Sequence, residues 1–150
     1  MKKSKLLKII NFWPPYLGAG VRVRNISSDV RVIDVEMRLR FWNRNYVGTH
    51  FGGSLYAMVD PFLMLMLIEN LGREFIVWDK AASIRFKKPG KGTVRARFEL
   101  SEEQIESIRK QANDSPKVEP VFTVNIMDEE NETVAEVVKT LHVRRKDVKI

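Results

Sequence analysis

The sequence contains no cysteine, which excludes disulfides, thiolate metal sites and cysteine nucleophiles. A reducing, cytoplasmic setting is therefore the expected one. Histidine is scarce too. His50 and His142 lie far apart in the chain, so a histidine-rich metal site is not expected and no cofactor is called for. The start lacks an uninterrupted apolar run, because Lys8 follows Leu6-Leu7, and a secretory signal is not expected. Internal repeats and low-complexity stretches are missing as well. An excess of one charge is also missing from the body of the chain. The formal charge of +7 comes from Lys2, Lys3, Lys5 and Lys8 at one end and from Arg144, Arg145, Lys146 and Lys149 against Asp147 at the other. Residues 9–143 balance at 18 basic and 18 acidic side chains. A nucleic-acid module carries its basic stripe on the folded body, so no nucleic-acid partner is expected; the ends read as solvated tails, with a weak anionic surface or phosphate partner as the lesser alternative.

What is present is ample apolar material: 44% of 150 residues, enough for a single domain over 1–150. Residues 1–19 form a helical extension in this reading. Leu6, Ile9, Ile10 and Trp13 fall at helical spacing, and Trp13-Pro14-Pro15 is expected to stop that helix. Val21 to Ile26 and Val30 to Phe41 read as strands joined by the polar turn Ser27-Ser28-Asp29. In the second, Ile33, Val35, Met37, Leu39 and Phe41 alternate with charged residues, the pattern of a half-buried strand. Phe75 to Lys87, Thr93 to Leu100, Val118 to Met127 and Thr133 to Arg144 supply four more. Between them Glu102 to Ala112 reads as a surface helix, opened by a Ser101/Gln104 capping box and carrying a narrow stripe of Ile105 and Ile108.

The stretch Ser54 to Leu71 has no polar face, with thirteen of its eighteen residues apolar. A helix apolar all round is buried or crosses a membrane. Asp60, Pro61, Glu69 and Asn70 make it a poor membrane span, so burial is expected, closed by Gly72. Such a helix needs cover on nearly every side. One strongly curved antiparallel sheet of about six strands supplies it, which predicts an α+β domain wrapped around a central helix. Its open edges and uncovered helix end point to a homodimer or a tetramer.

Chemistry is expected between Asn45 and Asp60. Gly52 and Gly53 before a helix allow close approach, and the amides near Gly53 and Ser54 are positioned to polarise a carbonyl. Asp60 is the sole acid in the apolar part of the helix and, if buried, a general base with a raised pKa. Structural readings stand beside these. Gly52-Gly53 can be a plain turn with Ser54 as N-cap, and Asp60-Pro61 can simply start a helix at Pro61. Pro61 also leaves the Ala57 carbonyl without a helical donor, which favours a kink.

The stretch from Asn45 through Phe51-Gly52-Gly53-Ser54-Leu55-Tyr56-Ala57-Met58-Val59 to Asp60 resembles the Asn…His-Gly-Gly…Asp motif of PaaI-like hotdog thioesterases. Together with Val77-Trp78-Asp79-Lys80-Ala81-Ala82 and Phe86…Pro89-Gly90, it is similar more closely to the DUF4442 family, a hotdog group of largely unassigned activity. The resemblance implies a hotdog fold. It implies roles for Asp60 in driving thioester hydrolysis, for the Gly53 amide in polarising the carbonyl, and for Asn45 in placing the water or thioester. It departs at Phe51, where the motif has histidine; His50 lies one place earlier.

The function expected is hydrolysis of an acyl-CoA thioester, with Thr49, His50, Phe51, Gly52 and Ser54 lining the substrate. Lys87, Lys88 and Lys91 would meet the phosphates of coenzyme A, unless they are merely solvated surface charge. The alternative is a hotdog protein that binds an acyl chain or acyl-CoA without turnover, favoured by Phe51. A dehydratase is disfavoured because His50 lacks a proline-rich context.

Overall fold

The computed structural model describes residues 9–149, so the basic run of Lys2 to Lys8 and the expected helical position of Leu6 lie outside the described residues. Six strands form one antiparallel sheet: β1 (Val21–Ile26), β2 (Val32–Arg38), β3 (Phe75–Phe86), β4 (Thr93–Glu99), β5 (Val121–Met127) and β6 (Thr133–Arg145). Their order across the sheet is β1-β2-β4-β5-β6-β3, leaving β1 and β3 as the two edges. Alternation sets the faces, as expected for β2 and β4. Ile33, Val35 and Met37, with Val94, Ala96 and Phe98, turn inward and are buried. β2 ends at Arg38, earlier than the alternation suggests, and Phe41 is left exposed.

The apolar stretch lies against this sheet as expected and runs from Gly52 to Leu71, in two pieces. Helix α2 (Gly52–Ala57) is followed by the turn 58–61 and then by α3 (Phe62–Leu71). Gly52–Leu71 is long and apolar enough to cross a membrane. Instead its Leu55, Met58, Val59, Phe62, Leu63, Met66 and Leu67 are sealed in the core. Ile68 stays exposed and Leu65 half-buried on the side away from the sheet. The break is a consequence of Pro61, which has no N–H to give the Ala57 carbonyl. The Tyr16 hydroxyl donates to that carbonyl at 3.2 Å, beside a longer bond from the Asp60 N–H at 3.4 Å.

At the other end Gly72 stops the helix with φ 94°, and Arg109 donates to the Asn70 and Leu71 carbonyls at 2.8 Å each. A cation there satisfies open carbonyls and complements the negative helix end. Arg109 belongs to helix α4 (Glu102–Asp114), whose Ser101/Gln104 capping box and buried Ile105 and Ile108 match the sequence expectation.

The N-terminal segment bears out the stop at Trp13-Pro14-Pro15 and adds a second role for the prolines. Ile10–Phe12 makes a 3-10 turn that ends at the extended Trp13, and the two prolines also open helix α1 (Pro14–Ala19). The first turn of a helix needs no N–H donors, and the fixed φ of proline suits it. The general arrangement, one long helical stretch packed against a six-stranded antiparallel sheet, is the hotdog fold.

Candidate active site

Two clusters of polar residues flank helix α2. The first is local in sequence. Asn45 takes a hydrogen bond on Oδ1 from the Thr49 amide at 3.0 Å and another from the Val47 amide at 3.1 Å. Its side-chain amide donates to Thr49 Oγ1 at 2.9 Å. Thr49 is buried, and so is His50, which is 3% exposed. The His50 amide donates to the Gly90 carbonyl at 2.9 Å, and its Nε2 lies 2.8 Å from the Gly92 carbonyl. That contact requires a proton on Nε2, which leaves Nδ1 as a buried acceptor without a partner among the described residues. Burial holds the imidazole below its ordinary pKa, against the opposing pull of the Gly92 carbonyl.

These residues line a cavity of about 400 Å³ with Gly52, Leu55, Phe86, Lys87, Lys88 and Gly90. A Cβ on Gly52 would meet the tip of the Phe86 ring at 3.0 Å, so the ring would have to give by a few tenths of an ångström. On Gly53 a Cβ would meet Cε1 of Phe51 at 2.7 Å. The Phe51 ring, though half exposed, thus folds over the glycine turn where the related motif has histidine. Lys88 is taken up by Asp128 at 2.7 Å and by Glu132, which hold its ammonium well above the usual lysine range. Lys87 is exposed beside the cavity, whereas Lys91, Gly53 and Ser54 do not line it.

The second cluster is assembled from distant parts of the chain. Lys139, on β6, is fully buried. Its Nζ lies 2.9 Å from Asp79 Oδ1 and 3.5 Å from Asp60 Oδ1, and it also donates to the Asp60 backbone carbonyl. That carbonyl precedes the first turn of α3 and so has no helical donor of its own. A buried ammonium persists only when paired, and here it has two carboxylates and a carbonyl. The Tyr56 hydroxyl donates to Asp60 Oδ1 at 3.1 Å, one turn back on α2. Burial first, then the Asp60 charge and hydrogen bond, push the Tyr56 phenol up to about 12, so it stays a donor at neutral pH.

Asp60 is neither buried nor a cap. Its side chain is 50% exposed, and the N-cap position of α3 is occupied by Pro61 without any side-chain capping bond. Tyr56 and Asp79 also line a cavity of about 410 Å³ with Lys80 to Ile84 along β3.

Of the residues singled out in the sequence, Asn45, Thr49, His50, Gly52, Lys87 and Lys88 line one cavity, whereas Tyr56, Asp79 and Lys139 were not singled out. A signal for the last two exists in the strand alternation. Lys139 falls in the inward register of Val137, Leu141 and Val143, and Asp79 in that of Phe75 and Val77. A charge at an inward position demands a partner across the core. A bulge between Asp79 and Ala81 then shifts the register of β3. No group of three His, Asp or Glu side chains among the described residues could hold a metal ion.

Among curated proteins, none matches the sequence at a significant level. Solved structures do match in fold. A Pseudomonas aeruginosa protein described as of unknown function and a probable thioesterase superposes with a TM-score of 0.85 at 21% identity, covering 95% of each chain. A thioesterase from Haemophilus influenzae gives 0.68 at 17% identity, over 97% of this chain and 92% of its own. The Escherichia coli PaaI protein of the phenylacetic acid degradation operon gives 0.64 at 15%, over 99% and 96%. At these identities the likeness is one of fold. The sequence itself matches the domain of unknown function DUF4442 over residues 3–143, and the chain belongs to that family.

Proposed function

We propose that this chain is a thioesterase-like hydrolase acting on an acyl-CoA thioester, with a water activated by Asp60. The observation that carries the reading is the Asp60 carboxylate itself. It is half exposed at a helix break, yet fixed in place by Tyr56 and Lys139. A carboxylate so held can take a proton from water while the oxygen attacks the thioester carbon. The oxyanion that forms would rest on the Gly53 amide, which precedes the first intrahelical bonds. Collapse of the tetrahedral intermediate breaks the C–S bond, and the thiolate leaves with the proton returned from Asp60.

Asn45 serves this reading by holding the 45–50 loop in shape, since its side chain is spent on Thr49 and Val47. Lys87 is the better-placed cation for the coenzyme A phosphates, because Lys88 is already paired. Asp60 lines neither cavity, and the two cavities both adjoin β3, through 79–84 and 86–90. β3 is an open sheet edge. A homodimer joined there would bring the Asp60 cluster of one copy towards the glycine turn of the other, completing the site. Action in the cytoplasm goes with that substrate.

A second reading, binding of acyl-CoA without turnover, is favoured by the Phe51 ring over the glycine turn. A panel of short, medium, long and aryl acyl-CoAs, run on wild type and Asp60→Asn, separates the two. Turnover in wild type that disappears in the variant supports hydrolysis. Saturable binding with no turnover on any member, in folded protein, supports the binder.

A further inference from the structure

The N-terminal segment presents an apolar face to solvent. Ile9, Phe12, Trp13 and Leu17 are exposed, Phe12 by 75%. Ile9, Phe12, Trp13 and Pro14 line a cavity of about 440 Å³ whose other side is Pro61 and Leu65 of the central helix. This face is held rigidly. The Asn11 side chain pairs with both backbone groups of Val23 on edge strand β1, accepting from its N–H at 2.7 Å and donating to its carbonyl at 3.2 Å. Trp13 packs edge-on against buried Tyr16, with ring centroids 5.2 Å apart. Four apolar side chains thus face outward on a segment anchored to β1.

In sequence, the charge leading into this face is of one sign. Lys2, Lys3, Lys5 and Lys8 directly precede it, and the first acidic residue of the whole chain is Asp29. Residues 9–143 are balanced, so the excess lies at the two ends, four charges in this segment and three over 144–150. Aromatic and aliphatic side chains beside a lysine cluster match the two attractions an anionic bilayer surface offers. We propose that the face formed by Ile9, Phe12, Trp13 and Leu17 docks on an anionic lipid membrane surface. Because Pro61 forms part of the same groove, docking brings the membrane to the residue next to Asp60.

The test uses the full chain and sedimentation with vesicles of phosphatidylcholine, with and without phosphatidylserine. Binding is expected to the anionic vesicles and to weaken at high salt. Replacing lysines 2, 3, 5 and 8 by serine should weaken it about fivefold per lysine. Phe12→Ser with Ile9→Ser removes two exposed side chains, leaves the melting curve in place, and should weaken binding at least about tenfold. Brominated acyl chains should quench tryptophan emission in the parent and not in Trp13→Phe. Failure of the parent to bind anionic vesicles overturns the proposal, as does an Ile9→Ser/Phe12→Ser protein that binds as well as the parent. Two other occupants have their own signatures, each of which overturns it. A parent indifferent to vesicles whose oligomer falls apart in the serine variant assigns the face to a second copy. One that binds vesicles only after removal of residues 1–8 assigns the groove to the chain's own N-terminus.

Discussion

The two clusters beside α2 are built on opposite plans. Around the glycine turn, Asn45, Thr49 and His50 are near neighbours in sequence, neutral, and tied to backbone groups of their own loop and of 90–92. Around the helix break, Tyr56, Asp60, Asp79 and Lys139 come from two helical turns and two strands, and three of the four carry charge. A loop tied by neutral bonds, most of them local, depends little on charges placed elsewhere. A buried ammonium held by distant carboxylates exists only in the assembled fold, because desolvation would otherwise exceed the attraction. The first plan suits a surface that shapes a ligand. The second suits a group whose protonation and orientation must be controlled.

That contrast can be broken by substitution. The largest effect is expected for Asp60→Asn, which should lower acyl-CoA turnover by about 100-fold or more while the far-UV spectrum stays unchanged. An undiminished rate would move the chemistry to the other cluster. Next is Lys139→Met, which leaves Asp79 and Asp60 facing a lost cation and should cost about 3 kcal/mol in denaturant unfolding. Asp60 is half exposed and can regain water, so Asp79→Asn in the same chain should restore much of the loss. If it restores none, the loss is one of packing.

Asn45→Ala tests the local plan. It removes bonds to the Thr49 and Val47 amides and should cost about 1–2 kcal/mol by the same unfolding measurement, with no change in the environment of Tyr56. The smallest effect concerns acid. His50 has a folded pKa below the ordinary histidine value of 6.5, so the unfolded chain binds more protons as pH falls through that value. Its contribution is intact above about pH 6.5 and is lost below it. His50→Gln should therefore flatten part of the fall in melting temperature between about pH 7 and 5, the remainder belonging to His142, whose pKa is also lowered by burial.

The strands were legible because alternation reports directly which side chains meet a core, as in Val94, Ala96 and Phe98. The ends of elements were less so. Pro14-Pro15 both stops one helical segment and starts the next, and the start is the part that was not legible, since it goes with Tyr16 burying itself beneath the helix break. Asp60 shows the limit more sharply. Local signals offered a continuous helix or a cap before Pro61. The observed turn is neither, because the freed Ala57 and Asp60 carbonyls find donors in Tyr16 and Lys139, 41 and 79 positions away.

By itself the sequence determined the classes of residue that face the core, the buried central helix and the glycine-bearing loop, since each follows from local periodicity and backbone preference. Tertiary structure alone decided which charges meet. Lys139 reaches Asp60 and Asp79 because β6 lies beneath the helix break and beside β3, and burial makes that pairing obligatory.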